Sequence, residues 1–149
     1  MDLEAADAAA LAIFFVAAVS CALLWRAGRR GAAFAVWTAA IIATCVPFFD
    51  LHAHAHWYKV SWIPFISPPV KPSDIAANIL IYVPFGFLSR PRRLRVRVRR
   101  VAAGAAVLSF ACELSQVFSH GRIPSSTDIA SDVIGAAIGV AASALVENW

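Results

Sequence analysis

The stretch Asp128-Ile129-Ala130-Ser131-Asp132-Val133-Ile134-Gly135-Ala136-Ala137-Ile138-Gly139-Val140-Ala141-Ala142-Ser143-Ala144-Leu145-Val146 decides the fold. After its opening acids it is apolar to its end, and as a helix it reaches about 28 Å, close to the thickness of a bilayer core. Ser131, Gly135, Gly139 and Ser143 recur at every fourth position, so one face of that helix carries only small residues. Faces of this kind let helix backbones approach closely in lipid. The spacing therefore predicts a packing face, within the bundle or in a dimer.

Four further segments of the same character precede it. Hydrophobic patterning predicts helices over residues 5–25, 31–49, 74–88 and 101–118. The third is short, and Pro84 and Gly86 inside it predict a kink, a break or a partly re-entrant course. Hydrophobic residues make up 60% of the chain and charged residues only 15%, against about 25% in soluble domains. With a mean hydropathy of +0.71, 149 residues are too few to hide that much apolar surface from water. The expected fold is all-α: a single membrane domain over 1–149, a bundle of about five transmembrane helices. The acidic start, Asp2, Glu4 and Asp7, does not suit a cleaved signal peptide, so the first helix is expected to be permanent.

The net charge of +4 does not point to nucleic acid, because the basic residues interrupt hydrophobic segments. Arg26, Arg29 and Arg30 form one cluster, and Arg90, Arg92, Arg93, Arg95, Arg97, Arg99 and Arg100 form another. Cytoplasmic loops carry such clusters and meet anionic headgroups. The N-terminus is then outside, the C-terminus cytoplasmic, and the partners are membrane lipids. Cys21, Cys45 and Cys112 lie within hydrophobic segments and read as small packing residues rather than a disulfide framework.

Acids and amides inside lipid are costly and are functional candidates by default. Asp74 and Asn78 share a helical face, as do Asp128 and Asp132; Ser109, Glu113, Gln116 and His120 form a stripe at helical spacing. All fall toward the outer ends of their helices, with Arg122 between the last two. Asp74 and Asp128 also stand where N-caps belong. Asp74, Asn78, Glu113, Gln116, Arg122, Asp128 and Asp132 are thus expected to line an outward-facing polar pocket. His52, His54 and His56 alternate in the outer loop. Imidazole suits transition metals, but nothing near them in sequence completes a shell, so no metal and no cofactor is expected. Trp57, Tyr58, Trp62 and Phe65 read as an interfacial anchor.

Four motifs in order resemble the VanZ-like family: Trp62-Ile63-Pro64-Phe65; Asp74 and Asn78 followed by Tyr82-Val83-Pro84-Phe85-Gly86-Phe87-Leu88; Glu113-Leu114-Ser115-Gln116-Val117-Phe118; and Gly121-Arg122 followed by Asp128, Gly135 and Gly139. The resemblance covers a core over 61–140. Two positions depart from it. The family usually has asparagine where this chain has Asp132, and a common asparagine is replaced by Ser61. The resemblance implies a multi-pass protein of the bacterial inner membrane, related to one that confers resistance to the lipidated glycopeptide teicoplanin. Three readings of its activity stay open. The pocket binds a lipid or lipid-like ligand, or it is an intramembrane enzyme using carboxylate or divalent-metal chemistry on a lipid-linked envelope substrate, or the polar residues merely pack a scaffold. No recognisable nucleophile or metal shell favours the enzyme.

Overall fold

A computed structural model describes residues 3–66, 71–89 and 94–147. Arg90, Arg92 and Arg93, read above as topology and headgroup residues, lie outside them. The described residues form five α-helices: α1 (Leu3–Arg26), α2 (Arg30–Cys45), α3 (Pro72–Leu88), α4 (Leu94–Gln116) and α5 (Ser126–Glu147). A turn of 3₁₀ helix covers Trp57–Lys59.

α1 and α5 are long and apolar enough to cross a membrane. α2 and α3 are apolar but shorter, at 16 and 17 residues. α4 begins earlier than its hydrophobic pattern suggests, because Leu94 to Arg100 is helical and not a loop. Leu11, Phe15, Val16 and Leu23 of α1 each remain more than 60% exposed. An apolar surface of this extent requires a covering phase.

α1 and α2 form a hairpin whose turn is closed by a Schellman motif. Arg29 N–H donates to the Leu24 carbonyl and Gly28 N–H to that of Trp25, while Gly28 takes φ +73°, a conformation only glycine adopts without strain. The Arg30 guanidinium sits 3.9 Å from the centre of the Trp25 ring, where the ring face attracts a cation.

α3 is continuous through Pro84, which corrects the expectation of a break. Pro84 offers no N–H to the preceding turn, and the Trp37 indole donates to the adjacent Ile81 carbonyl at 2.8 Å. A neighbouring helix thus supplies a donor where proline weakens the ladder. Gly86 serves packing, since a Cβ there would lie 1.9 Å from the Ala136 oxygen of α5. Likewise a Cβ at Gly135 would meet the Ile79 oxygen at 2.3 Å, and one at Gly139 the Val83 oxygen at 1.9 Å. The small face of α5 therefore lies directly on the backbone of α3, with Ser131 and Ser143 fully buried along it.

The two ends of the bundle differ in charge. At one end the α1–α2 turn meets the C-terminus of α3, with Trp25 and Phe87 ring centres 5.2 Å apart. Arg97 points inward there and is 2% exposed. Its Nε donates to Ser89 Oγ at 3.0 Å, and its Nη2 to the carbonyls of Ser89 at 2.9 Å and Phe87 at 3.2 Å. A cation at a helix C-terminus satisfies carbonyls that the helix cannot. Arg97 is thus buried, whereas Arg95, Arg99 and Arg100 are exposed. Replacing Arg97 with leucine strands these acceptors and is expected to lower stability by about 2–3 kcal/mol. Thermal unfolding in detergent micelles measures this, and an unchanged midpoint would refute the capping role.

Candidate functional site

The opposite end gathers the N-terminal half of α3, the C-terminal half of α4 and the start of α5. Glu113, 8% exposed, reaches from α4 to the α4–α5 loop. Its Oε2 accepts the Ser125 N–H at 2.6 Å, and its Oε1 faces the Gln116 amide nitrogen at 3.4 Å. Gln116 also donates to the Cys45 carbonyl at 3.2 Å, at the last residue of α2. Glu113 and Gln116 therefore tie three segments together, and both carboxylate oxygens are engaged.

One turn back on α4, the Ser109 hydroxyl donates to Asp132 Oδ2 at 2.6 Å. Asp132 Oδ1, the Tyr82 hydroxyl and Ser131 Oγ are buried without a well-formed hydrogen bond. Such atoms are rare and require an explanation. Tyr82 is 2% exposed, and its hydroxyl lies beside Ser109 and Asp132, close enough to interact with that carboxylate as a donor. It stands four residues after Asn78 and eight after Asp74. That stripe on α3 was available in the sequence, but tyrosine inside an apolar run reads as packing.

Asn78 and Asp128 face each other at the rim of this cluster, and Asp74 is within electrostatic range of Asp128. Asn78 and Asp128 are half-buried and Asp74 is exposed. Asp128 is not the cap of α5. Ser125 is, its hydroxyl accepting the Thr127 N–H at 3.1 Å, which leaves the Asp128 carboxylate free of that task. Lys71 precedes α3 as the cap residue without a side-chain cap bond, so Asp74 is a first-turn acid only. Arg122 is exposed in the α4–α5 loop, and among the described residues it makes no ion pair with any of these carboxylates.

A docked loop covers the cluster. Residues 46–66 lie against 117–127: the Ser61 N–H donates to the Pro124 carbonyl, and the Ser126 N–H and hydroxyl both donate to the Ser61 carbonyl. The Thr127 hydroxyl accepts the Phe65 N–H at 2.9 Å and holds Phe65 at φ +63°. Asp50 accepts from the Ser119 hydroxyl and from the Gly121 N–H. These bonds, helped by the adjacent histidines, hold its carboxyl below the usual carboxylate range. Trp57, Tyr58, Trp62 and Phe65 are all exposed, as are Phe48, Phe49, Ile63 and Ile123. The loop surface is therefore broadly apolar.

His120 leaves the α4 stripe, because α4 ends at Gln116. It packs instead on the histidines of the docked loop. Desolvation, followed by the neighbouring imidazoles, pushes its pKa below the ordinary histidine value.

The acids and amides form a packed cluster. A groove of about 270 Å³ opens beside Cys21, Trp25, Trp37, Pro84 and Leu88, and another of about 190 Å³ beside Phe85, Ser89 and Arg97. Neither is lined by a member of the cluster.

Five helices, two of them apolar and long enough to cross a membrane, and a buried polar cluster at one end make up an all-helical protein suited to a membrane. Residues 8–147 match the VanZ/LLP1 family. The chain belongs to that family over nearly its whole length, so α1 and α2 are part of the family's extent as well as residues 61–140. Comparison with curated proteins and with solved structures finds no match.

Proposed function

We propose that this VanZ-family protein sits in the bacterial inner membrane with all five helices spanning and binds a lipid or lipidated envelope ligand at its outer end. The arginine end is cytoplasmic. The polar cluster lies about 24 Å away along α4, from Arg97 to Glu113, which approaches the thickness of the hydrocarbon core. The short α2 and α3 fit a locally thinned bilayer. Exposed aromatics on residues 57–65 suit the outer interface.

One observation carries the reading. Asp132 Oδ1 and the Tyr82 hydroxyl are buried side by side with no well-formed hydrogen bond, beneath a rim formed by Asn78 and Asp128. A hydrogen-bonding ligand head reaching past that rim would satisfy them, while its acyl part lies along the exposed apolar helices. Arg122, exposed in the α4–α5 loop, suits an anionic group on such a ligand. Teicoplanin, which joins a polar head to an acyl chain, has this character. A second reading, scaffold, has support at Glu113 and Gln116, whose polar atoms are used in holding neighbouring segments.

Expression in a sensitive Gram-positive host tests the proposal, with membrane levels checked by blot. Protection against teicoplanin and not against vancomycin, relative to empty vector, is the expected result. Equal susceptibility of the two strains at high expression rejects the resistance role.

A further inference from the structure

Four histidines meet outside the polar cluster, in the angle between the docked loop and the end of α4. His52, His54 and His56 come from the loop, and His120 from a point 66 residues beyond His54. Their alternation in sequence suggests no shell, because the completing residue comes from a different loop. His120 has ring centres of His52, His54 and His56 at 3.8, 5.2 and 4.6 Å.

We infer that His54, His56 and His120 form a binding site for a late first-row divalent metal ion, Zn²⁺ foremost. The Nε2 atoms of His54 and His120 are 3.2 Å apart. Two nitrogens bound to one tetrahedral zinc at 2.0–2.1 Å stand about 3.3 Å from each other. One ligand atom from each of the three histidines lies within 4.8 Å of the other two, so small side-chain rotations close the set. His56 is buried, and its Nδ1 faces the Val117 carbonyl at 3.3 Å. That contact takes the Nδ1 proton and leaves the Nε2 lone pair for a metal, which is how ligating histidines are usually oriented. The backbone around the site is braced independently. The His56 N–H donates to the Val117 carbonyl at 2.8 Å, and Lys59 Nζ to the His120 carbonyl at 2.9 Å.

Three imidazoles leave one tetrahedral position for water. Asp50 and His52 also lie within 4.8 Å of His120 as a set and flank the site. Imidazole donors select zinc, copper or nickel over magnesium or calcium. The ion joins the loop carrying His54 and His56 to the segment between α4 and α5, the same segment whose Ser125 N–H is held by Glu113. It therefore fixes the cover of the polar cluster.

The test uses untagged full-length protein in detergent, stripped with chelator and titrated with Zn²⁺ by calorimetry, with metal counted by elemental analysis. One saturable Zn²⁺ per chain is expected, with binding that weakens as pH falls through the imidazole range near about 6.5. Co²⁺ in its place should give the intense visible absorption of a tetrahedral ion. Losing only an outer partner of a ligand costs roughly 10–100-fold in affinity. His54→Asn and His120→Asn should therefore each weaken Zn²⁺ by at least about 100-fold, while His52→Asn retains binding within a few-fold. Circular dichroism is the check that the variants keep their helices. Absence of saturable binding by the wild type overturns the site, and this result does not depend on any variant folding. Zn²⁺ affinity equal to wild type in a well-folded His54→Asn/His120→Asn double variant also overturns it, as does loss confined to His52→Asn.

Discussion

Gly139→Val is expected to destabilise the protein by about 3 kcal/mol or more, the upper range of overpacking effects. The reason is geometric. A Cβ at Gly139 would stand 1.9 Å from the Val83 oxygen and 2.8 Å from the Phe87 nitrogen, and both are backbone atoms that cannot rotate aside. Relief requires α3 and α5 to separate, which also withdraws Gly86 from Ala136 and Gly135 from Ile79. The three contacts interlock, so the loss is not confined to one turn. In lipid these close contacts matter more than apolar area, because acyl chains solvate leucine as well as another helix does. Gly104 supplies the control. A Cβ there would meet only the tip of the Phe85 ring, at 4.0 Å. Gly104→Ala should hold or raise stability by up to about 1 kcal/mol through helix propensity. Unfolding followed by circular dichroism in micelles decides between them, and a Gly139→Val midpoint equal to wild type would show that α3 and α5 are not so closely packed.

This interface was legible in the sequence because it is local and periodic. Ser131, Gly135, Gly139 and Ser143 fall at helical spacing, and only a packing surface needs small residues in that rhythm. The five helices were legible for the same reason, since hydrophobic runs are properties of neighbouring residues. Arg97 was not, because its charge matches that of the exposed arginines around it, and only the approach of α3 shows that its guanidinium caps Ser89 and Phe87. His120 was misplaced because the stripe from Ser109 through Glu113 and Gln116 extrapolates smoothly to it, although α4 stops short. The bond from Ser61 to Pro124 joins parts of the chain about 60 residues apart, and no periodicity encodes it. Ser125 rather than Asp128 caps α5, a choice among adjacent polar residues that depends on where the first turn closes.

Glu113 and Tyr82 should separate folding from function, because the structure gives their polar atoms opposite surroundings. Glu113 is fully engaged. Glu113→Ala removes the acceptor of the part-buried Ser125 N–H and one of the two partners of Gln116, and should cost about 1–3 kcal/mol. Any loss of protection it causes should track loss of folded protein in the membrane. Tyr82 is the reverse. Its hydroxyl is buried beside Asp132 with no well-formed hydrogen bond, so Tyr82→Phe removes a poorly satisfied group and keeps the ring that packs on Phe85, with centres 5.7 Å apart. Stability should hold or rise by up to about 1 kcal/mol. If that hydroxyl and Asp132 Oδ1 await a ligand, Tyr82→Phe abolishes teicoplanin protection at wild-type abundance. Asp132→Asn should also fold normally, since the new side chain still accepts from Ser109, and it restores the residue usual in the family. Its effect should fall on ligand selectivity and not on abundance. Full protection by a stable Tyr82→Phe protein would remove the hydroxyl from any ligand site.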